Sequence, residues 1–393
     1  MTKRRIKISK KVKITFLLLL LFIISVTIFS YSLSLFSRRK VNNPNIEKEE
    51  VKKEKEYEAK LLMVGDALIH YGVYNDAKQA DGSYDFKSMF EYIKPISSKY
   101  DLVYYNQETI LGGESLGYSS YPRFNSPTEV GDAFIDAGFN MVSLATNHTM
   151  DKGEKGVINS VNYWDTHKDK VAYSGQWLSF DDREKEIAQI YEKNGISYAF
   201  ISYTTWTNGL ETPVGMEYLN NVYSPEKAAE DISKVKGKAD VIIVAMHWGT
   251  EYSLGVSSTQ KQIANYLASL GVNIIIGSHP HVVEPVEYLN NGNTFVIYSL
   301  GNFISDQGIT ERLIGLMMEV TIKKKVDVAD NVIVSIEKPK AQLIYTKDKK
   351  DFKVIPFSKL DNTILPNYKT LEEKYRNVVS KFCPELIWGL SYE

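Results

Sequence analysis

The sequence predicts an α/β domain with parallel strands, carried behind one apolar segment long enough to cross a membrane. Three observations carry that prediction. From Lys60 onward, short apolar runs rich in Val, Ile and Tyr alternate with amphipathic stretches. Near the N-terminus, the 23 residues of 14–36 hold no charge. Five of the six histidines stand just past the ends of expected strands, where open α/β sheets bind ligands; only His167 does not.

The apolar segment reads ITFLLLLLFIISVTIFSYSLSLF. As a helix rising 1.5 Å per residue it covers about 34 Å, enough to cross a bilayer's hydrocarbon core. Lys3, Arg4, Arg5, Lys7, Lys10, Lys11 and Lys13 precede it without an acid among them, which puts residues 1–13 in the cytoplasm and everything after the span outside. A cleaved signal peptide is the rival reading. It calls for a shorter apolar region and a small-residue cleavage site, and the nearest candidate is Ser32-x-Ser34. In both cases the domain is translocated. The alternating charges of EKEEVKKEKEYE mark residues 37–58 as a solvated spacer. Residues 59–365 are then the α/β domain, and 366–393 a C-terminal helix and tail.

A chain of 393 residues, 44% of them hydrophobic, can bury a sizeable core. Its net charge of −1 conceals an asymmetry: residues 1–60 carry 15 Lys/Arg against 6 Asp/Glu, leaving 32 basic and 42 acidic residues for the rest. A folded part so acidic is ill suited to nucleic acid, whose phosphates need a basic surface. A single cysteine, Cys383, excludes an intrachain disulfide and a thiolate metal cage. Any metal must be held by His, Asp, Glu and Asn.

Strands are expected at 61–65, 102–106, 140–145, 198–203, 241–246, 273–277 and 294–299. Helices are expected at 128–137 and 259–270, each closed by a glycine, Gly138 and Gly271. After residue 310 the pattern turns to consecutive strands at 316–322, 332–336, 342–345 and 352–356, followed by a helix near 371–382. That portion reads as an antiparallel second sheet packed on the first.

The residues just past each strand carry the chemistry. Asp66 and His70 come after the first, and Glu108 after the second. Asn147, His148 and Asp151 come after the third, and His247 and Trp248 after the fifth. His279-Pro280-His281 comes after the sixth and Asn302 after the last. A His-x-His pair on a loop can aim two imidazoles at one ion, and mixed nitrogen and carboxylate donors suit Zn, Mn or Fe better than Ca or Mg. Trp248 and Tyr252 read as a pocket wall or as core. Asn302 reads as a substrate donor or as the residue that holds a turn.

The blocks VGDALIH, NQET, YPRFNSP, LATNHTMDKG, MHWGTEY, IIGSHPHVVEP and YSLGNFISDQ, in that order over about residues 60–316, resemble the bacterial capsule-synthesis (CapA, or PgsA) family. That family's fold is the calcineurin-like metallophosphoesterase sandwich of four layers, α/β/β/α. The resemblance implies Asp66, Glu108, Asn147, His247, His279 and His281 as ligands of one or two divalent ions. It implies His148 as the catalytic histidine, oriented by Asp151. Arg123 of YPRFNSP is an anion clamp or a surface ion-pair partner, and His70, Trp248 and Asn302 are further substrate contacts. Two departures stand out. Leu68 occupies the place of the histidine in the phosphoesterases' Asp-x-His, and Glu108 stands where a bridging aspartate is usual. The implied role is making, exporting or anchoring poly-γ-glutamate capsule beside the membrane subunits of a capsule synthetase. A metal-dependent hydrolase of an envelope phosphate compound and a non-catalytic assembly subunit are the alternatives.

Overall fold

The computed structural model describes residues 9–38 and 53–392. The basic tail up to residue 8 and the spacer over 39–52 lie outside the described residues. The chain divides into two compact units, Met1–Lys53 and Glu54–Glu393.

In the first unit, helix α1 (Lys10–Arg38) is exposed throughout its described side chains and is long and apolar enough to cross a bilayer. Its polar side chains do not break that reading. The hydroxyls of Thr15, Ser25, Thr27, Ser32 and Ser34 donate to carbonyls three or four residues back, which pairs these five protons within the helix.

The second unit holds strands β1 (Lys55–Leu68), β2 (Leu102–Gln107), β3 (Met141–Ser143), β4 (Ala172–Ser174), β5 (Tyr191–Lys193), β6 (Ile196–Thr204), β7 (Val241–His247) and β8 (Ile274–Ser278). It continues with β9 (Val286–Leu289), β10 (Thr294–Ile297), β11 (Asn302–Ser305), β12 (Ile314–Val326), β13 (Val332–Lys347), β14 (Lys353–Pro356) and β15 (Ile387–Trp388). Its helices are α2 (Tyr71–Ala77), α3 (Lys94–Ser97), α4 (Glu129–Asp136), α5 (Gly153–Asp165), α6 (Phe180–Ile187), α7 (Pro225–Val235), α8 (Ser258–Leu270) and α9 (Tyr368–Val379).

Two sheets result. One runs β14-β13-β12-β1-β2-β3-β4, with β11 also on β1 and β15 on β13; the other runs β5-β6-β7-β8-β10-β9. The β1-β2-β3-β4 and β6-β7-β8-β10 stretches are parallel. Alternation along each strand decides the layers. In β1, Leu61 and Met63 enter a core shared with Phe200 of β6, Ile243 of β7 and Ile276 of β8, while Leu62 and Val64 face the cluster holding Phe134 of α4 and Trp164 of α5. Outside the second sheet, Val244 and Ile275 pack with Ile232 of α7 and Leu267 of α8. The order is helix, sheet, sheet, helix, as the sequence predicts. Each fully buried aliphatic side chain in these layers contributes about 1.5–3 kcal/mol.

Helix α8 shows why the expected boundaries hold. Ser257 and Gln260 close a capping box at its start, and Gly271 at φ 103° ends it in the left-handed conformation a glycine adopts without penalty.

The C-terminal strands require a correction. They do not form a second sheet but extend the first, because β12 pairs antiparallel with β1 from Lys55↔Val326 to Met63↔Met318. The first nine residues of β12 are buried on both faces, which its even apolar pattern permits in either sheet. The expected strands 332–336 and 342–345 are one strand, β13, which passes through Lys338 at φ 52°. Because β1 begins at Lys55, the stretch read as spacer ends before residue 58. The C-terminal segment buries Tyr375, Val379, Cys383 and Leu386 in the core between the sheets.

Candidate metal centre

The parallel strands of both sheets end at one place, and their last side chains meet there. Asp66, 0% exposed, sits at the end of β1, where Asn106 of β2 donates to its Oδ1 at 2.8 Å. The chain can pass so close to the next turn only at a glycine: a Cβ on Gly65 would lie 1.7 Å from the Gly301 carbonyl oxygen. From the second sheet come His247, at the end of β7, and the loop after β8. There His279 (φ 95°) and His281 (φ 59°) flank Pro280 in the left-handed region, a strained backbone for non-glycine residues. The His279 N–H donates to Asp66 Oδ2 at 3.2 Å, which ties the two sheets together at the site.

Glu108, just past β2, faces these histidines. Its Oε1 lies 3.6 Å from His281 Nε2 and 3.8 Å from His247 Nε2. Asn147 Oδ1 lies 3.0 Å from His247 Nε2. Ser278 Oγ and Asn106 Nδ2 flank the other nitrogen of His247, at 3.1 and 3.4 Å. Asn302 Oδ1 stands 3.0 Å from His281 Nδ1, while its amide nitrogen donates to Gln307 and to the Arg312 carbonyl.

Electrostatics follow from burial. Burial, with neighbouring histidines adding to it, holds His247 well below its usual value and brings His279 down to about 3. Both shifts favour the neutral imidazole, the form that ligates a cation. His281 is the exception. Burial pushes it down, but the carboxylates of Glu108 and Asp66 outweigh burial and raise it to about 9. Burial, opposed by His281 and helped by Asp66, drives Glu108 upward.

A divalent ion fits these donors. Among the described residues, neither oxygen of the buried Glu108 carboxyl nor His279 Nδ1 has a hydrogen-bond partner. Three overlapping groups bring ligand atoms within 4.8 Å of one another: Asp66, Glu108 and His281; Glu108, His247 and His279; Glu251, His279 and His281. Five of the six residues expected as ligands lie in these groups, and the sixth, Asn147, touches one of them. Glu251 escaped notice in the sequence. Like the others it comes after a strand end, four residues past His247.

The site opens into a cleft of about 500 Å³ lined by His70, Arg123, Phe124, His148, Trp206, Tyr252 and others. His148 Nδ1 lies 2.7 Å from Asp151 Oδ2, which also accepts the Phe124 N–H at 2.6 Å, so the YPRFNSP loop braces the pair. The exposed Arg123 guanidinium has no ion-pair partner among the described residues.

Two expected substrate contacts, Trp248 and Asn302, take other places. Trp248 points away from the cleft, because the residue after His247 falls on the opposite face of the strand. It packs beside Tyr298 in the core under α8 and donates to the Tyr298 carbonyl at 2.9 Å. Asn302 is fully buried behind His281. His70 lines the cleft but belongs to none of the ligand groups. Its Nδ1 lies 2.9 Å from the Leu68 carbonyl, and burial lowers it to about 4.

Residues 60–307 match the family model described as bacterial capsule synthesis protein PGA_cap. The chain is 29% identical over 288 residues to the PGA biosynthesis protein CapA of Bacillus subtilis (strain 168), covering 70% of this chain and 72% of that protein. It is 29% identical over 263 residues to the capsule biosynthesis protein CapA of Bacillus anthracis, covering 64% of this chain and 60% of that one, less than two thirds of its length. Similar solved structures include a Staphylococcus aureus chain assigned as a candidate 5′-nucleotidase, in complex with α-ketoglutarate, at 16% identity and TM-score 0.39 over 80% of this chain and 58% of that one. A purple acid phosphatase from yellow lupin seeds is 11% identical, at TM-score 0.34 over 71% of this chain and 54% of that one.

Proposed function

The chain belongs to the bacterial capsule synthesis protein family, and we propose that it serves capsule synthesis from the outer face of the cell membrane through a divalent metal centre. The observation that carries this reading is Glu108, a buried carboxyl with two unpartnered oxygens set among three histidines. Such a group, left alone, costs about 2–7 kcal/mol on the scale of an unpaired polar group, and a cation compensates it. Asp66, Glu108, Asn147, His247, His279 and His281 would hold Mn, Zn or Fe, as one ion or two. Helix α1 anchors the chain, with the N-terminus in the cytoplasm and residues after the span outside. The partners are the membrane subunits of a capsule synthetase, and the ligand is poly-γ-glutamate or an envelope phosphate compound.

The His148–Asp151 pair favours a second, more specific reading: hydrolysis of a phosphoester in the same cleft. A divalent ion held there would supply Lewis-acid chemistry. Asp151 fixes the His148 ring through Nδ1 and leaves Nε2 toward the cleft, where it can pass a proton to a leaving oxygen. Arg123, free of ion pairs among the described residues, holds the substrate's anionic group bidentately.

The test uses the full chain in detergent. Metal content of the parent is compared with that of the His279→Ala/His281→Ala double variant, and turnover of an aryl phosphodiester is measured with added Mn or Zn. Bound metal lost in the double variant supports the centre; equal metal in both sinks the ligand assignment. Turnover abolished by His148→Ala establishes the hydrolase reading, and metal without turnover leaves the binding role in capsule assembly.

A further inference from the structure

We propose that Asn208 is a positioning residue that turns the amide of Asn147 so that its oxygen, not its nitrogen, faces the metal centre. The inference rests on the metal reading above and deepens it. Asn147 is the one expected ligand with a wrong end: an amide reversed by 180° presents N–H groups, which repel a cation and cannot ligate it. Something must tell the two ends apart.

Asn208 does so from the loop that leaves β6. That loop starts beside the metal centre, because Thr204 pairs with His247 across β6 and β7 and the Thr205 N–H donates to the His247 carbonyl at 2.9 Å. Thr204 Oγ1 donates to the Trp206 carbonyl at 2.8 Å, which holds the first turn. The chain then enters the left-handed region at Asn208 (φ 53°), aiming its side chain back at the cleft.

Asn208 Oδ1 accepts two hydrogen bonds, from the Trp206 indole N–H at 2.9 Å and from Asn147 Nδ2 at 3.3 Å. The indole is a donor only, so it fixes which end of Asn208 is the oxygen. That oxygen in turn fixes Asn147, whose nitrogen must face Asn208 and whose oxygen must face His247 Nε2 at 3.0 Å. Orientation thus passes from an unambiguous donor, through one amide, to a second amide in the donor set. The remaining nitrogen of Asn208 lies 3.5 Å from His148 Nε2, so the same side chain also borders the candidate catalytic histidine. Partners behind a metal ligand typically change affinity about 10–100-fold when removed.

A double-mutant cycle on the full chain in detergent tests this, with Mn2+ titrated calorimetrically into metal-stripped protein. Asn208→Gly removes the amide while keeping the positive φ accessible. It should weaken Mn2+ binding at least fivefold; a smaller effect overturns the proposal. Asn147→Asp has no wrong end, since both carboxylate oxygens can ligate. In the Asn147→Asp background the Asn208→Gly change should cost less than twofold. An equal loss in both backgrounds means that Asn208 only supports the loop, and the proposal fails. If the parent binds neither Mn2+ nor Zn2+ nor Fe2+ in the same titration, the metal reading itself falls and takes this inference with it. That outcome is distinct from a parent that binds and an Asn208→Gly variant that binds equally well.

Discussion

Glu108 and His281 face each other with Oε1 and Nε2 3.6 Å apart, and neither oxygen of that buried carboxyl accepts a hydrogen bond among the described residues. A carboxyl so placed opposes folding until a cation meets it. Glu108→Gln should therefore lose metal and, in metal-free solution, unfold later than the metal-free parent, by about 1–3 kcal/mol on the scale of an unsatisfied buried group. Urea unfolding of the two stripped proteins measures this. A metal-free variant less stable than the parent would show that Glu108 has a structural partner.

Asn302 holds the His281 ring by its Oδ1 and is anchored through its own amide nitrogen. Asn302→Ala should lower metal affinity about 10–100-fold, as loss of a group behind a ligand does, with little change in which metal is preferred. Asn302→Asp keeps the acceptor and should retain most of the affinity. Calorimetric titration separates the two, and equal losses would rule out the orienting role.

Trp248 sits in the core outside the second sheet. Trp248→Ala should destabilise the domain by about 3–5 kcal/mol. Trp248→Phe, which loses the bond to the Tyr298 carbonyl and part of the buried ring volume, should leave metal binding at the parent value. A changed metal affinity in the Phe variant would return Trp248 to the cleft.

Glu284 is fully buried with one oxygen accepting from Gln260 at 2.6 Å and the other unpartnered, and burial pushes it up to about 8. A carboxyl whose folded value is raised favours folding when protonated. Its contribution is fully present below the unfolded value near 4.5 and is lost as pH rises toward 8. Glu284→Gln has no charge to bury, so its stability advantage over the parent should grow between pH 5 and pH 8, by roughly 1–3 kcal/mol. Parallel stability curves over that window would show that Glu284 does not titrate there.

An epitope placed after Glu393 should be cut by protease added to intact cells, as the basic residues before the span require. Protection would reverse the orientation.

The seven expected strands before residue 310 all form, and α4 and α8 appear where the apolar spacing puts them. Short helices such as α2 and α6, and strands of two to four residues such as β4 and β11, were not legible. They span too few residues for a period to repeat, and β11 exists only because β1 offers an edge beside Asp66.

What the sequence determined by itself was local. Alternating apolar residues made strands, glycines ended helices, and polar side chains clustered after strand ends, since each of these depends on a few neighbouring residues. The tertiary structure alone decided which strands share a sheet and which way a side chain faces. Pairing of β12 with β1 joins residues some 260 apart in sequence (Lys60 with Thr321), and no local pattern encodes that partner. The single-residue alternation of a strand sent His247 to the candidate metal centre and Trp248 to the core. The same long-range assembly brought Glu251, Asn302 and Asn208 beside the candidate ligands, because such neighbours are chosen by proximity in space.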